Sequence, residues 1–187
     1  ARPDLSVDGT IVIEKLDDTL RVLQGNQAQS RESIGRCRDV LGNEAIRQIV
    51  FDPLLPADFQ IAAGYFNMAS IAQGEAIFSE GDPGSFMSII HLGNVSVQKL
   101  NPEGQTVEIA LLRRGRAFGE MAVLDGERRS ASCIAATDCQ LLNLGRDALD
   151  KMLDEAPKVA AKIIRALATS LSKRLRMVDG QLLAQQV

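Results

Sequence analysis

The sequence is poor in aromatic residues and has no excess of positive charge. It contains six Phe, one Tyr and no Trp, so we do not expect a platform on which nucleic-acid bases stack. Its 21 basic and 24 acidic side chains give a formal net charge of −3. A protein that held nucleic acid mainly through its phosphate backbone would be strongly basic. The composition therefore argues against that class of protein.

The sequence also has few side chains that bind metals or form disulfides. One His and three Cys fall short of the usual zinc site. Cys37, Cys133 and Cys139 are odd in number and form no C-x-x-C pair, which favours reduced thiols over a disulfide framework. The sequence contains no apolar run of about 18 residues and no signal peptide. We therefore expect a cytoplasmic protein. Because it begins with Ala1 rather than Met, we expect a processed product or a fragment of a longer protein.

Residues 1–50 are predicted to form a helical extension. From Ile13 onward apolar residues repeat with helical spacing, and the same seven-residue frame continues to Leu41. Two polar positions interrupt this seam, and such an interruption can fix the register of a coiled coil. Gly25-Asn26 instead favours a break between two short helices. A third interpretation is an amphipathic helix that packs on its own domain. The pattern leaves these interpretations open.

Residues 51–187 are predicted to form the main domain, most of which has the sequence pattern of an all-β unit. From about Ile71, short apolar runs alternate with turn signals such as Asn101-Pro102-Glu103-Gly104. Strands are expected at Phe86–Leu92, Val95–Leu100 and Thr106–Leu112, with another pair between Ser130 and Leu144. Many short strands at a spacing of about 10 residues predict a sandwich, jelly roll or barrel.

After Gly145 the apolar period becomes helical again. One stripe contains Ile164, Leu167, Leu171, Leu175, Val178 and Leu182. Pro157 suits the first turn of this helix, and a helix from Pro157 to Ala184 would be roughly 40 Å long. Because a small barrel needs no cover of that length, we expect a partner helix to bury the overhang. The chain is therefore predicted to form a homodimer through its C-terminal helix, its N-terminal helices or both.

The segment from Gly115 to Cys133 carries the most specific chemistry. Gly119 follows a predicted strand, and the residues after it can form one or two helical turns. The free N–H groups at the start of such turns attract an anion. A turn at Asp125-Gly126 would bring Arg129 back beside them. A guanidinium group can bind two phosphate oxygens with its planar fork, so this segment predicts a phosphate site.

Glu120 indicates that the ligand is more than a phosphate. A carboxylate beside a phosphate is repulsive unless it binds another group, such as a sugar hydroxyl. Together with Arg129 and Ser130, Glu120 therefore predicts a pocket for a ribose phosphate. The alternative is a surface salt bridge between Glu120 and Arg128 or Arg129. The only histidine, His91, lies on a different predicted strand, so we find no nucleophile–base pair and expect no enzyme.

Two runs follow one another in this segment. They are Phe118-Gly119-Glu120-Met121-Ala122-Val123-Leu124 and Arg129-Ser130-Ala131-Ser132. Together they resemble the phosphate-binding cassette of cyclic nucleotide-binding domains, and Gly74–Asp82 and Ile89–Val97 resemble the strands that precede it. The resemblance covers about residues 50–180 and is greatest to the sensor half of bacterial cAMP receptor proteins. It implies an α+β fold, in which an eight-stranded β-roll or jelly roll is flanked by N-terminal helices and a long C-terminal helix.

The resemblance also implies a role for each residue of the site. Glu120 would accept the ribose 2′-hydroxyl, Arg129 would pair with the cyclic phosphate, and Gly119 would let the sugar approach. Further contacts would come from Ser130, from the backbone N–H groups of Met121 or Ala122, and from Val97 and Ile109 around the base. The implied ligand is cAMP or cGMP, with no metal or other cofactor.

The chain departs from the cAMP receptor group in two ways. Those proteins continue into a helix-turn-helix domain, whereas this chain stops at Val187, so we expect these residues to bind no DNA and to signal through an unknown protein partner. In that group, hydroxyl side chains on the long helix meet adenine. Here the corresponding stretch is Val178-Asp179, and Asp179 could accept a hydrogen bond from either purine. Arg174 is a candidate lid contact for Glu120.

The expected function is a cyclic nucleotide sensor that couples ligand binding to helix rearrangement. One alternative is a ligand-free interaction scaffold of the same fold. Another is the sensor half of a truncated transcription regulator or of another larger protein. The residues do not distinguish cAMP from cGMP, and a cyclic dinucleotide is a variant of the same hypothesis.

Overall fold

The computed structural model describes residues 31–41 and 54–184, with side chains described for 34–41 and 54–180. The helices are α1 (Arg31–Leu41), α2 (Pro56–Ala62), α3 (Glu120–Asp125), α4 (Arg146–Glu155) and α5 (Pro157–Ala184). The strands are β1 (Phe66–Ile71), β2 (Ala76–Phe78), β3 (Phe86–Leu92), β4 (Val95–Leu100), β5 (Thr106–Leu112), β6 (Ala117–Phe118), β7 (Ser132–Ala135) and β8 (Cys139–Gly145). The strands and the long helix expected from the sequence are confirmed.

The strands form two antiparallel four-stranded sheets. One sheet has the order β1-β8-β3-β6 and the other has the order β2-β7-β4-β5. Helices pack at both ends of this β-roll, and α3 is inserted between β6 and β7. The α+β prediction of an eight-stranded β-roll with flanking helices is therefore confirmed.

Two apolar clusters share the first sheet. The helix-side core, between this sheet and the helices, includes Phe66, Met87, Ile89, Leu142, Leu144, Met152, Ile163 and Leu167. The pocket-side core, between the two sheets, consists of Phe78, Phe86, Ile90, Val95, Phe118, Cys133, Ala135, Cys139 and Leu141. Because successive side chains of a strand point to opposite faces, β3 contributes Met87 and Ile89 to the first cluster and Phe86 and Ile90 to the second.

Helix α1 packs on the β-roll. Cys37, Val40 and Leu41 are buried in the helix-side core, and the Cys37 thiol lies 3.4 Å from the carbonyl oxygen of Phe66. For residues 34–41 the predicted seam therefore faces its own domain, in agreement with the third interpretation. The rest of the predicted extension lies outside the described residues, including any coiled coil or hairpin. The domain boundary after residue 50 stays a prediction.

Helix α5 has two dissimilar halves. Its inner half is buried through Val159, Ala160, Ile163, Ala166 and Leu167. After Leu171 most side chains are exposed, and the outer half presents Leu175, Met177 and Val178 to solvent. The helix thus extends beyond both cores, as its length predicted. Within the ranges described, no helix combines the length and the apolar character needed to cross a membrane.

Candidate functional site

The site is built around the short turn between β6 and α3. Gly119 caps α3 with a φ of 72°, a left-handed conformation that glycine adopts at little cost. A Cβ atom at this position would lie 2.7 Å from Nη1 of Arg129 and 3.1 Å from the Phe78 ring. Gly119 is therefore required both by the backbone and by the close packing of Arg129. The approach of a sugar at Gly119 stays a prediction, and the structure shows Arg129 and Phe78 where a Cβ atom would lie.

Arg129 returns beside this turn, as predicted, and is buried with only 3% of its surface exposed. Nη1 donates to the Gly119 carbonyl at 2.9 Å and Nη2 donates to the Phe86 carbonyl at 2.6 Å. The guanidinium carbon lies 3.9 Å from the Phe78 ring centroid and 4.8 Å from that of Phe86. Such contacts stabilise a cation through the ring quadrupole.

The charge of Arg129 is nevertheless incompletely satisfied. Its Nε–H is buried and has no partner among the described residues. Burial lowers the pKa of Arg129 to about 10, so the group stays positive near pH 7. A buried donor without an acceptor is costly, and an anionic oxygen would satisfy it.

Glu120 begins α3 and is also buried, with 2% of its surface exposed. Its Oε1 accepts a hydrogen bond from Nη2 of Arg174 on α5, so the predicted lid contact is present. Its Oε2 is buried and has no partner within the described part of the chain. Arg128 instead donates to the Gly81 carbonyl at 2.7 Å. The alternative of a surface salt bridge between Glu120 and Arg128 or Arg129 is therefore not what the structure shows.

The other cassette residues differ in exposure. Met121 is 48% exposed and Ala122 is buried, while Ser130 is exposed next to Arg129. A Cβ atom on Gly84 would lie only 2.0 Å from Cβ of Ala122. Helix α3 therefore packs directly on the backbone that precedes β3.

The two predicted base-pocket residues lie in the second sheet. Val97 pairs with Ala110 on one side and with Cys133 on the other, and it packs against the pocket-side core. Ile109 lies in the edge strand β5 and is 58% exposed. A register shift opposite Val97 and Gln98 gives β5 one extra residue at this point. The structure thus brings Val97 to the core and leaves Ile109 on an open edge.

Sequence reasoning missed several residues of this region. Phe78 and Phe86 flank Arg129 from β2 and β3, yet in the sequence they are ordinary apolar strand residues. Cys133 is buried nearby, and burial raises the pKa of its thiol to about 12, which keeps it neutral. Arg146 donates to the Ala122 carbonyl of the cassette and to the Gly84 carbonyl in the loop before β3. No local pattern would have identified these contacts, because their partners are distant in sequence.

The chemistry of the site is that of binding. A buried carboxylate oxygen can accept from a hydroxyl, and a buried guanidinium N–H can donate to an anionic oxygen. Both belong to side chains that flank the same Gly119 turn. In the ranges that the structure covers, no group of three or more side chains could hold a metal ion. The arrangement suits a small ligand that carries both hydroxyl and phosphate groups.

Comparison with known proteins agrees with this geometry. Residues 68–156 match the family model described as the cyclic nucleotide-binding domain. This range contains β2 to β8 and the whole cassette. The chain therefore contains a domain of the cyclic nucleotide-binding family.

Its relatives include bacterial receptors and eukaryotic kinases. The cyclic AMP receptor protein of Thermus thermophilus is 36% identical over 71% of this chain and 60% of its own length. A cGMP-dependent protein kinase of Eimeria tenella is 32% identical over 66% of this chain and 12% of its own. A solved cyclic nucleotide-binding domain from Methylobacillus flagellatus has a TM-score of 0.73 and 28% identity, covering 83% of this chain and 86% of that one. The chain thus spans about 60% of the length of the Thermus relative.

Proposed function

We propose that this chain is a regulatory module that binds cAMP or cGMP and couples binding to a rearrangement of its helices. The observation that carries the proposal is the pair of unsatisfied buried atoms, Glu120 Oε2 and Arg129 Nε, on either side of one glycine turn. A cyclic nucleotide supplies both missing partners, a 2′-hydroxyl and a cyclic phosphate. A chain that kept this fold only as a scaffold would have no need for either buried charge.

The ligand contacts follow from this placement. Glu120 Oε2 accepts the ribose 2′-hydroxyl, and Arg129 donates through Nε to the phosphate. The start of α3, with the N–H groups of Met121 and Ala122, faces the same negative charge, which the helix dipole favours. Ser130, which is exposed and follows Arg129 in the chain, adds a hydroxyl.

The base is proposed to lie toward Val97 and Ile109. Val97 provides apolar contact beside the core, and the exposed Ile109 gains cover when a purine lies against it. Asp179 is exposed on the outer half of α5, and we propose that it reaches the base when that helix moves. The names of the relatives include both cAMP and cGMP, so both are tested.

The helix response is proposed to pass through the contact of Arg174 with Glu120. This ion pair joins the ribose site to the outer half of α5. A ligand that engages Glu120 changes the balance of this contact and shifts an existing equilibrium of the helix. We propose that the output of these residues is a contact with a protein partner, and that the location is cytoplasmic, which the odd number of cysteines supports.

Calorimetry with cAMP, cGMP and a cyclic dinucleotide tests the proposal on the wild-type chain and on Arg129→Ala. We expect one cyclic mononucleotide to bind, and the variant to bind it roughly 10- to 100-fold more weakly, because a hydrogen bond to a charged group is worth about 1.5–3 kcal/mol. Equal affinities for the two proteins contradict the proposed contact. No binding at millimolar concentrations favours the scaffold. Analysis of the nucleotide after long incubation tests the expectation that no hydrolysis occurs.

A homodimer through α5 is the second part of the proposal. Leu175 and Val178 are 64% and 49% exposed and lie on one face of the helix, three residues apart, and a second copy of the helix would bury this surface. Sedimentation equilibrium should give a dimer for the wild type and a monomer for Leu175→Glu. Lys173→Glu is the control, because two residues along a helix is a turn of about 200° and places Lys173 on the opposite face. A monomeric wild type or a dimeric Leu175→Glu would contradict this interface.

A further inference from the structure

Arg146 connects three parts of the molecule. It is the first residue of α4, and its backbone N–H donates to the Ser85 carbonyl at 2.8 Å. Its Nη2 donates to the Gly84 carbonyl at 2.8 Å and to the Ala122 carbonyl in α3. The cassette helix, the loop before β3 and the start of α4 thus meet at one guanidinium group.

Arg146 is not placed to stabilise its own helix. The N-terminus of a helix carries partial positive charge, so a cation there is unfavourable. The N-cap residue of α4 is Gly145, which provides no side-chain hydrogen bond to the helix. Helix α3, by contrast, has six residues, and the last four carbonyls of any helix lack an intrahelical donor. Arg146 supplies a donor to one of these carbonyls, Ala122.

Arg129 and Arg146 hold the same two segments together. Arg129 bridges the carbonyls of Gly119 and Phe86, and Arg146 bridges those of Ala122 and Gly84. The two arginines differ in the element of secondary structure that follows each of them. Arg129 precedes β7, whereas Arg146 starts α4, which continues through Ala156 into α5.

Close packing leaves little freedom at the Arg146 contact. Cβ of Ala122 fills the position that a side chain on Gly84 would need, so α3 cannot move toward the loop without moving it. A displacement of α3 by a ligand therefore acts on the two carbonyls that Arg146 binds. Since α4 packs on α5, such a displacement reaches the long helix.

We infer that Arg146 is a positioning residue that transmits the ligand-induced movement of α3 to α4 and α5. The inference rests on the proposed function, because it requires a ligand that moves the cassette. In this division of roles Arg129 holds the phosphate and Arg146 conveys the change. Loss of Arg146 should therefore separate binding from the helix response.

The test measures both properties in the full chain. Calorimetry gives the affinity for cAMP and cGMP, and hydrogen–deuterium exchange at saturating nucleotide gives the protection of residues 118–130 and of α5. Arg146→Gln should bind with an affinity within about 10-fold of wild type and keep the cassette protection, while the change in α5 is lost. Arg146→Lys should restore part of the α5 change, because an ammonium group donates to carbonyls without the planar fork of arginine.

Arg128→Gln is the matched control. Arg128 is exposed and also bonds a loop carbonyl, that of Gly81, so this variant should respond as wild type. A wild-type α5 change in Arg146→Gln overturns the inference, as does a wild-type protein that binds nucleotide without any change in α5. If Arg146→Gln fails to fold, an undiminished α5 change in Arg146→Lys overturns it. A wild type that binds neither nucleotide overturns the proposed function itself.

Discussion

The two cores of this β-roll share β3 and β8 but differ in the residues that border them. The helix-side core is apolar and closed by α1, α2, α4 and α5. The pocket-side core is bordered by two buried charged side chains, Glu120 and Arg129, each with an atom that lacks a partner within the described chain. The helix-side core buries apolar side chains, whereas the border of the pocket-side core has polar atoms that can form hydrogen bonds with a ligand. The comparison teaches that apolar packing with the helices and the proposed ligand site lie on opposite faces of one sheet.

The largest expected effect comes from breaking the helix-side core. Ile163 is fully buried, and Ile163→Ala should lower the free energy of unfolding by about 2–5 kcal/mol, because it leaves a cavity. Urea unfolding measures this loss. Ile61→Ala is the control, since Ile61 is 46% exposed on α2. If both variants lose the same stability, the assignment of stability to this face is wrong.

A smaller effect is expected when the pocket-side charge is removed. Glu120→Gln keeps the shape but replaces the charged group proposed to accept the 2′-hydroxyl, so the affinity for nucleotide should fall about 10-fold. Stability should change little, because Arg174 is partly exposed and water can solvate it. Calorimetry checks the affinity and urea unfolding checks the stability. Glu127→Gln, at an exposed position beyond α3, should match wild type in both, and an unchanged affinity in Glu120→Gln would remove Glu120 from the site.

The smallest effect concerns the ion pair between α2 and α5. Lys162 Nζ lies 2.6 Å from Asp58 Oδ2, and Lys162→Met should lower the free energy of unfolding by about 0.2–1 kcal/mol at pH 7. Burial alone would raise the pKa of Asp58, but the hydrogen bonds from Lys162 and the Leu55 N–H, with the charge of Lys162, hold it below its ordinary value of 3.8.

The pH dependence of this ion pair follows from the lowered pKa. A carboxylate whose pKa is lower in the folded state contributes stability above its unfolded pKa, and that contribution is lost as the pH falls through the folded value. The difference between wild type and Lys162→Met should therefore shrink below about pH 4. Urea unfolding across this range measures it. Lys151→Met is the control, because its pair with Glu155 is 3.8 Å long and exposed on both sides. A difference that persists undiminished in acid would contradict this account.

The fold was largely predictable because its signals are local. Turn residues separate β3, β4 and β5, and the apolar stripe of α5 has helical spacing from Ile164 onward. The cassette was predictable for the same reason, since Gly119, Glu120 and Arg129 lie within a single short run. Ile109 shows the limit of such reasoning, because a register shift in β5 and its edge position decide its exposure.

The contacts that sequence reasoning did not find are all long-range. Phe78 and Phe86 reach Arg129 only because β2 and β3 come together in the β-roll. Arg146 is 62 residues from Gly84 and 24 from Ala122, and nothing near it in sequence marks it as different from other helix arginines. Tertiary structure, rather than local pattern, creates these interactions.

The outer half of α5 is long enough for a small change in its angle to move its end by several ångströms. From Leu171 to the end of the helix at Ala184 the rod is about 20 Å long at 1.5 Å per residue. A tilt of about 10° at its supported end would swing the free end by about 3 Å, given that length. If ligand binding changes the contact at Glu120 as proposed, the length of α5 would enlarge a sub-ångström adjustment there into a displacement of several ångströms at the end of the helix.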